Sequence, residues 1–399
     1  MSSFNPQGLH KAMRAQVDRH FLPGVSTALF HGQDVVDTFC YGQADIEAGR
    51  ALHEDDLFRV FSNTKLISSV AVLILWERGC FELDTPVEEF LPALGQRQVL
   101  RAGATRINDT EPAASPITIR HLLTHTSGLS YGLFDPGSIM YQAYQDAVVR
   151  HPGKNLAEQL EALAGLPLGF HPGTAWEYSV ATDVLGRLIE VLSGQSFGEF
   201  LKQEIFEPLA MTDTDFYVPS DKAQRLTTLY MSATPFTPSL PGLVRADDKP
   251  YPGAFLTKVP NESGGGGLVM SLGDMVKIVQ SLLPGGQSRL KPETIQAMNT
   301  NQLPEGMCVA FPNLPRLTWR GFGLGSSVAI SRGPLDPAGI EGCVTWGGLA
   351  GTHWWYHPTL NVGGVLMTQR FFGQADSHVV AFLNESFGAL SALANNRAP

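Results

Sequence analysis

Ser62 and Lys65 stand three residues apart in Ser62-Asn63-Thr64-Lys65, followed by a run free of proline and glycine, Leu66 to Arg78. The apolar residues of that run lie all round a helix, the mark of a helix buried inside a large domain. The spacing places Ser62 at the helix start and Lys65 one turn on, along the same face. A hydroxyl at a helix N-terminus sits where developing negative charge is stabilised. A lysine beside it can take the hydroxyl proton once burial lowers its pKa from about 10.4. The pair therefore suits a nucleophile with its base. An N-cap role would explain Ser62 equally well. A snorkelling surface residue explains poorly a lysine at the head of an apolar helix.

Other residues imitate this chemistry. Ser288-Arg289-Leu290-Lys291 repeats the S-x-x-K spacing, but Lys291 precedes Pro292, which turns it away from helical geometry. Gly194-Gln195-Ser196-Phe197-Gly198 matches the G-x-S-x-G nucleophile elbow, which needs a strand before its serine. The preceding Val180–Leu192 has helical spacing instead, and Ser196 with Glu199 reads as a capping box for a following helix. His121/His125 and His353/His357 have i,i+4 spacing without the glutamate of H-E-x-x-H, so structural histidines are expected and no metal site. Gly264–Gly267 lacks the sixth-position glycine of a dinucleotide fingerprint, where Val269 stands.

The elements that must hold these residues come mostly from the two ends of the chain. A helix is expected from about Gly8 to His20, where Leu9, Met13 and Val17 keep helical spacing. Val25–Phe30 and Val35–Tyr41 read as strands joined by a hairpin at His31-Gly32-Gln33-Asp34. Ser326–Ile330, Gly351–Tyr356 and Val362–Gln369 read as strands, and a last helix covers about Ser377 to Asn395. The expectation is an α/β domain formed by residues 1–72 and 261–399, with a mainly helical inserted domain at 73–260. Residues 235–260 hold six prolines and are expected to form a long irregular loop.

Composition narrows the class. The chain has 399 residues, 43% hydrophobic and 17% charged, the profile of a packed globular enzyme. A net charge of −10 argues against binding nucleic acid through basic patches. Cys40, Cys80, Cys308 and Cys343 form no CxxC pair and read as free thiols of a reducing compartment. No signal peptide is read at the N-terminus. The longest apolar run, Val70 to Trp76, is far short of the roughly 20 residues of a membrane span. A cytoplasmic protein without membrane contact is expected.

Together with its flanks, Phe58-Arg59-Val60-Phe61-Ser62-Asn63-Thr64-Lys65 resembles the nucleophile segment of the serine β-lactamase and penicillin-binding superfamily. Arg120–Leu129, Pro172–Ser179 and Gly264–Leu268 resemble segments of its class C-like branch, in the same order. The resemblance implies a β-lactamase-like α/β fold, an antiparallel sheet flanked by helices with a helix-rich insertion. It also implies that Tyr178 stands where the family's Tyr-x-Asn tyrosine assists proton transfer, although the Asn position is Val180. The Lys-Thr-Gly element is absent; Trp346-Gly347-Gly348 stands in its place and is similar to the family VIII carboxylesterases. By that resemblance Ser62, Lys65 and Tyr178 are catalytic, and Trp346, Gly347 and Gly348 line the substrate. The N–H groups of Ser62 and Leu349 are expected to form the oxyanion hole, the two glycines letting the backbone approach a ligand closely. A tryptophan in place of the lysine, and Val180 in place of the amide, favour a neutral, short-chain ester over an anionic lactam or peptide. The expectation is a serine carboxylesterase without metal or cofactor. Acyl transfer to an alcohol, as in statin-pathway acyltransferases, or weak β-lactam hydrolysis is the alternative enzyme activity. An inactive ligand-binding homologue is the non-enzyme alternative.

Overall fold

Strand β1 (Gly24–His31) and strand β2 (Asp34–Asp45) form the expected hairpin, with His31 opposite Asp34 and Gly32 at φ +56° in the turn. A two-residue turn of this kind needs positive φ, which glycine adopts without a Cβ clash. The sheet grows from this hairpin. It adds β3 (Arg50–Ala51), β4 (Arg320–Phe322), β5 (Ser327–Ala329), β6 (Val344–Gly347), β7 (His353–His357) and β8 (Val362–Met367). The eight strands run in the order β4-β5-β6-β7-β8-β1-β2-β3, antiparallel throughout. This is the β-lactamase-like sheet expected from the sequence. The computed structural model describes residues 4–234, 240–374 and 376–397.

Helices cover both faces because the central strands are apolar on both. Val25 and Leu29 of β1, Trp355 of β7 and Leu366 of β8 pack into one cluster with Leu9, Met13, Phe382, Phe387 and Leu390. Those partners lie on helices α1 (Gln7–Asp18) and α5 (Ser377–Arg397). Their alternates, Ala28, Phe30, Trp354 and Val365, face the main cluster with α2 (Thr64–Glu77) and α4 (Leu272–Ser281). Each large apolar side chain fully buried in this way contributes roughly 1.5–3 kcal/mol. Between α2 and α4 runs α3 (Ala181–Ser193), which packs against α2. The main cluster is continuous from the sheet into residues of the middle segment such as Leu123, Leu163 and Leu188.

The middle segment is less purely helical than its pattern suggested. Gln98–Leu100 pairs with Thr110–Pro112, and Tyr230–Ser232 pairs with Leu243–Arg245. The second pair is joined in parallel by Arg370–Phe371, so part of the proline-rich stretch is sheet. Strands of two or three residues are too short to show a periodicity, and Arg370–Phe371 joins its ladder from far along the chain. Pro235 and Pro238 lie outside the described residues. No helix among the described residues is long and apolar enough to cross a membrane.

Candidate active site

Leu57–Arg59 pairs antiparallel with Val269–Ser271, tying the chain that enters Ser62 to the chain that leaves the glycine run. Phe61 then turns at φ +44°, a left-handed conformation that costs a residue with a Cβ about 1–2 kcal/mol. Its ring is held between Phe255 at 5.8 Å and Phe371 at 5.7 Å. Ser62 sits in the tight turn Phe61–Asn63, just ahead of α2 rather than on its first residue. Every residue of α2 from Thr64 to Leu75 is buried, so Lys65 is carried into the interior at 1% exposure.

Lys65 Nζ donates to the Gly265 carbonyl at 2.6 Å and reaches Ser62 Oγ at 3.4 Å. Burial pulls its pKa from 10.5 down to about 7; the Asp183 carboxylate opposes this shift and Arg150 adds to it. Tyr178 donates its hydroxyl to Ser62 Oγ at 2.8 Å. Burial, and then the neighbouring Tyr131, push its pKa well above 10. Near neutral pH the site thus holds an amine able to accept a proton and a phenol that keeps one. Two titratable groups driven apart by their surroundings are suited to separate base and acid roles.

The ring of Tyr178 is fixed on several sides. Tyr131 stacks on it at 5.2 Å, His125 lies at 4.9 Å, and Phe134, Phe311 and Trp346 complete the surround. Trp346 Nε1 also points at the Tyr178 hydroxyl, 3.4 Å away. Trp346 is half-buried on β6, so its ring forms an apolar wall beside Ser62 and Tyr178.

The two glycines after Trp346 are needed for close backbone approach. A Cβ on Gly348 would lie 2.3 Å from the Val60 carbonyl, and one on Gly347 would lie 3.0 Å from His353 Nδ1. The turn they begin is therefore seated on the chain two residues before Ser62. Thr352 Oγ1 adds a bond to the same Val60 carbonyl at 3.4 Å. The backbone N–H groups of Ser62 and Leu349 find no acceptor among the described residues. Unpaired N–H groups of this kind can receive an oxyanion.

The imitators occupy structural positions. Ser196 and Glu199 exchange the two bonds of a capping box, and α3 ends at Gly194 with φ +72°. Ser288 Oγ accepts from Leu290 N at 3.0 Å, while exposed Lys291 only precedes the helix Pro292–Asn299. His121 caps Ile119–Leu123, and His125 Nδ1 meets Ser179 Oγ at 3.0 Å. His353 Nε2 meets Thr345 Oγ1 at 2.9 Å, and His357 Nε2 donates to the Glu341 carbonyl at 2.9 Å.

Several site residues escaped the sequence reading. Asp183, 3% exposed in the first turn of α3, accepts from Ser263 Oγ at 2.6 Å and Gly265 N at 3.0 Å. It thereby fixes the carbonyl that holds Lys65. A Cβ on Gly265 would lie 2.8 Å from Asp183 Oδ2, so the glycine run serves close packing on α3. The available signal was an acid inside an apolar helix row. Tyr131, Phe134 and Phe311 lie in loops without periodicity and gave no signal. Arg150, exposed, places its guanidinium 4.8 Å over the Tyr131 ring, a cation near the site that was not expected.

A family model described as Beta-lactamase matches residues 9–386. Esterase EstB of Burkholderia gladioli is 32% identical over 370 residues, 88% of this chain and 86% of its own. Lovastatin esterase of Penicillium rubens is 30% identical over 402 residues, 93% of this chain and 96% of its own. Among solved structures, simvastatin synthase (LovD) of Aspergillus terreus superposes with a TM-score of 0.80 at 24% identity, covering 99% of this chain and 100% of that one.

Proposed function

We propose that this chain, which belongs to the β-lactamase family and is a hydrolase of its esterase branch, cleaves small neutral esters through an acyl-enzyme on Ser62. One observation carries the reading: the Ser62 hydroxyl oxygen lies between a buried, weakly basic Lys65 amine and the protonated Tyr178 phenol.

In the proposed reaction neutral Lys65 accepts the Ser62 proton as Oγ attacks the ester carbonyl. The Ser62 and Leu349 N–H groups hold the oxygen of the tetrahedral intermediate. Tyr178 gives its proton to the departing alcohol oxygen and regains one from protonated Lys65 through water, since the acylated Ser62 oxygen has no proton to pass on. Water then enters, loses a proton along the same route, and attacks the acyl carbon. Ser62 leaves with its hydroxyl restored and the acid is released. The scheme balances with protein groups and water alone.

Trp346 supports an uncharged substrate, since its half-buried ring presents hydrocarbon where a charged group would need a polar partner, and fully buried Val180 supplies no amide there. Arg150 is exposed and its guanidinium lies over the Tyr131 ring rather than at the wall formed by Trp346. The test is kcat/KM for p-nitrophenyl butyrate against a cephalosporin. Preference for the butyrate ester is expected, and equal efficiency on both contradicts the assignment. Faster release of the acyl group to added alcohol than to water would reassign the enzyme as an acyltransferase.

A further inference from the structure

We propose that His378 is a positioning residue for the oxyanion hole: by holding the Gly351 carbonyl it sets the turn that aims the Leu349 N–H. The inference rests on the reading of Ser62 and Leu349 just given. The turn spans residues 348–352, between β6 and β7. Its first constraint is the bond from Gly351 N to the Gly348 carbonyl at 2.9 Å. That carbonyl and the Leu349 N–H belong to one planar trans peptide, so fixing one directs the other to the opposite side. Where Gly351 sits therefore decides where the Leu349 N–H points.

Gly351 is held from outside the turn. His378, fully buried in the first turn of α5, meets the Gly351 carbonyl through Nε2 at 3.1 Å. A carbonyl only accepts, so Nε2 carries the proton. Gly351 has φ +83°, and a Cβ there would lie 2.8 Å from His378 Nε2 and 3.1 Å from Thr368 Cγ2. The ring thus packs directly on the backbone it bonds. The neighbouring carbonyls are tied by backbone N–H groups, Leu349 O by Gly373 N at 3.2 Å and Ala350 O by Arg370 N at 2.8 Å. His378 Nδ1 finds no partner among the described residues, so the bond to Gly351 is the ring's polar contact there. Burial pulls its pKa down to about 4 against the opposing Gly351 bond, with smaller lowering from the Arg370 and Arg19 charges, which leaves a neutral donor at working pH.

The experiment compares wild type, His378→Leu and His378→Gln on p-nitrophenyl butyrate and its thionoester, with circular dichroism to confirm folding. A C=S group accepts hydrogen bonds weakly, so the oxoester-to-thionoester rate ratio reports on the oxyanion N–H groups. His378→Leu is expected to lower kcat about tenfold, less than the loss of an oxyanion donor outright, with KM within about twofold. The rate ratio should fall with it. His378→Gln, which keeps a donor near the Nε2 position, should recover most of both. If His378→Leu does not fold, His378→Asn, whose amide stops short of Gly351, replaces it in the comparison. A folded variant with wild-type kcat and ratio overturns the role. So does an equal loss in His378→Gln with KM raised and the ratio unchanged, which would be packing alone. Ester turnover that survives Ser62→Ala would instead overturn the esterase reading, and the role with it.

Discussion

Two S-x-x-K segments of this chain meet opposite fates. Lys65 follows Ser62 along one helix face, is 1% exposed, and reaches both Ser62 Oγ and the Gly265 carbonyl. Lys291 follows Ser288 in extended backbone at φ −68°, ψ 154°, stays exposed, and leaves Ser288 bonding the backbone of Leu290. The four-residue spelling is the same. What differs is the helix that begins at Thr64, and a third partner, Tyr178, brought from 116 residues away. On the proposed reading, the same spelling serves chemistry where a helix carries the lysine into the core and leaves the serine at its mouth.

Removing the two serines should split the segments most widely. Ser62→Ala is expected to lower kcat for p-nitrophenyl butyrate at least about a thousandfold, as loss of a nucleophile does in other serine hydrolases. Ser288→Ala should leave kcat within about twofold, and a large loss there would erase the distinction.

Exchange of the lysines comes next. Lys65→Arg should fail nearly as badly as Lys65→Ala, by a hundredfold or so, because guanidinium stays protonated and accepts nothing. Lys291→Arg should be silent. Because burial brings the Lys65 pKa to about 7, the amine is neutral above that pH and charged below it. The wild-type rate at low substrate should then climb as pH rises through about 7 and level off. A limb near 10.5 would mean that Lys65 behaves like an exposed lysine.

Trp346→Lys tests the wall rather than the nucleophile. A charge-assisted contact is worth roughly 1.5–3 kcal/mol, so a lysine there should narrow the butyrate-to-cephalosporin gap in kcat/KM by up to about ten- to a hundredfold. An unchanged gap would show that Trp346 does not face the substrate. The smallest effect belongs to the third serine pattern. Ser196→Ala removes the cap on Glu199 N and should cost about 1 kcal/mol in urea unfolding, with kcat unaltered.

How much of this was legible depended on how local each feature is. The hairpin at Gly32, α2 with Ser62 and Lys65, and the capping box at Ser196 rest on residues a few positions apart, and the sequence pattern showed all three. Tyr178 was found through the flanking motif, because its own Asn signal is missing at Val180. Asp183, the Gly265 carbonyl and His378 act by contacts across long stretches of chain, and side-chain spelling carries no trace of a backbone carbonyl's address. The ladder at Tyr230, Leu243 and Arg370 was hidden for the same reason.

Ser62, alone among the three serine patterns, is proposed to form a covalent adduct during turnover. Incubating the protein with a fluorophosphonate, digesting it and locating the adduct by peptide mass spectrometry tests this directly. The expected result is one adduct on the peptide containing Ser62, absent after Ser62→Ala and strongly slowed by Lys65→Ala. An adduct on Ser196 or Ser288, or inactivation that leaves Ser62 unmodified, would contradict it.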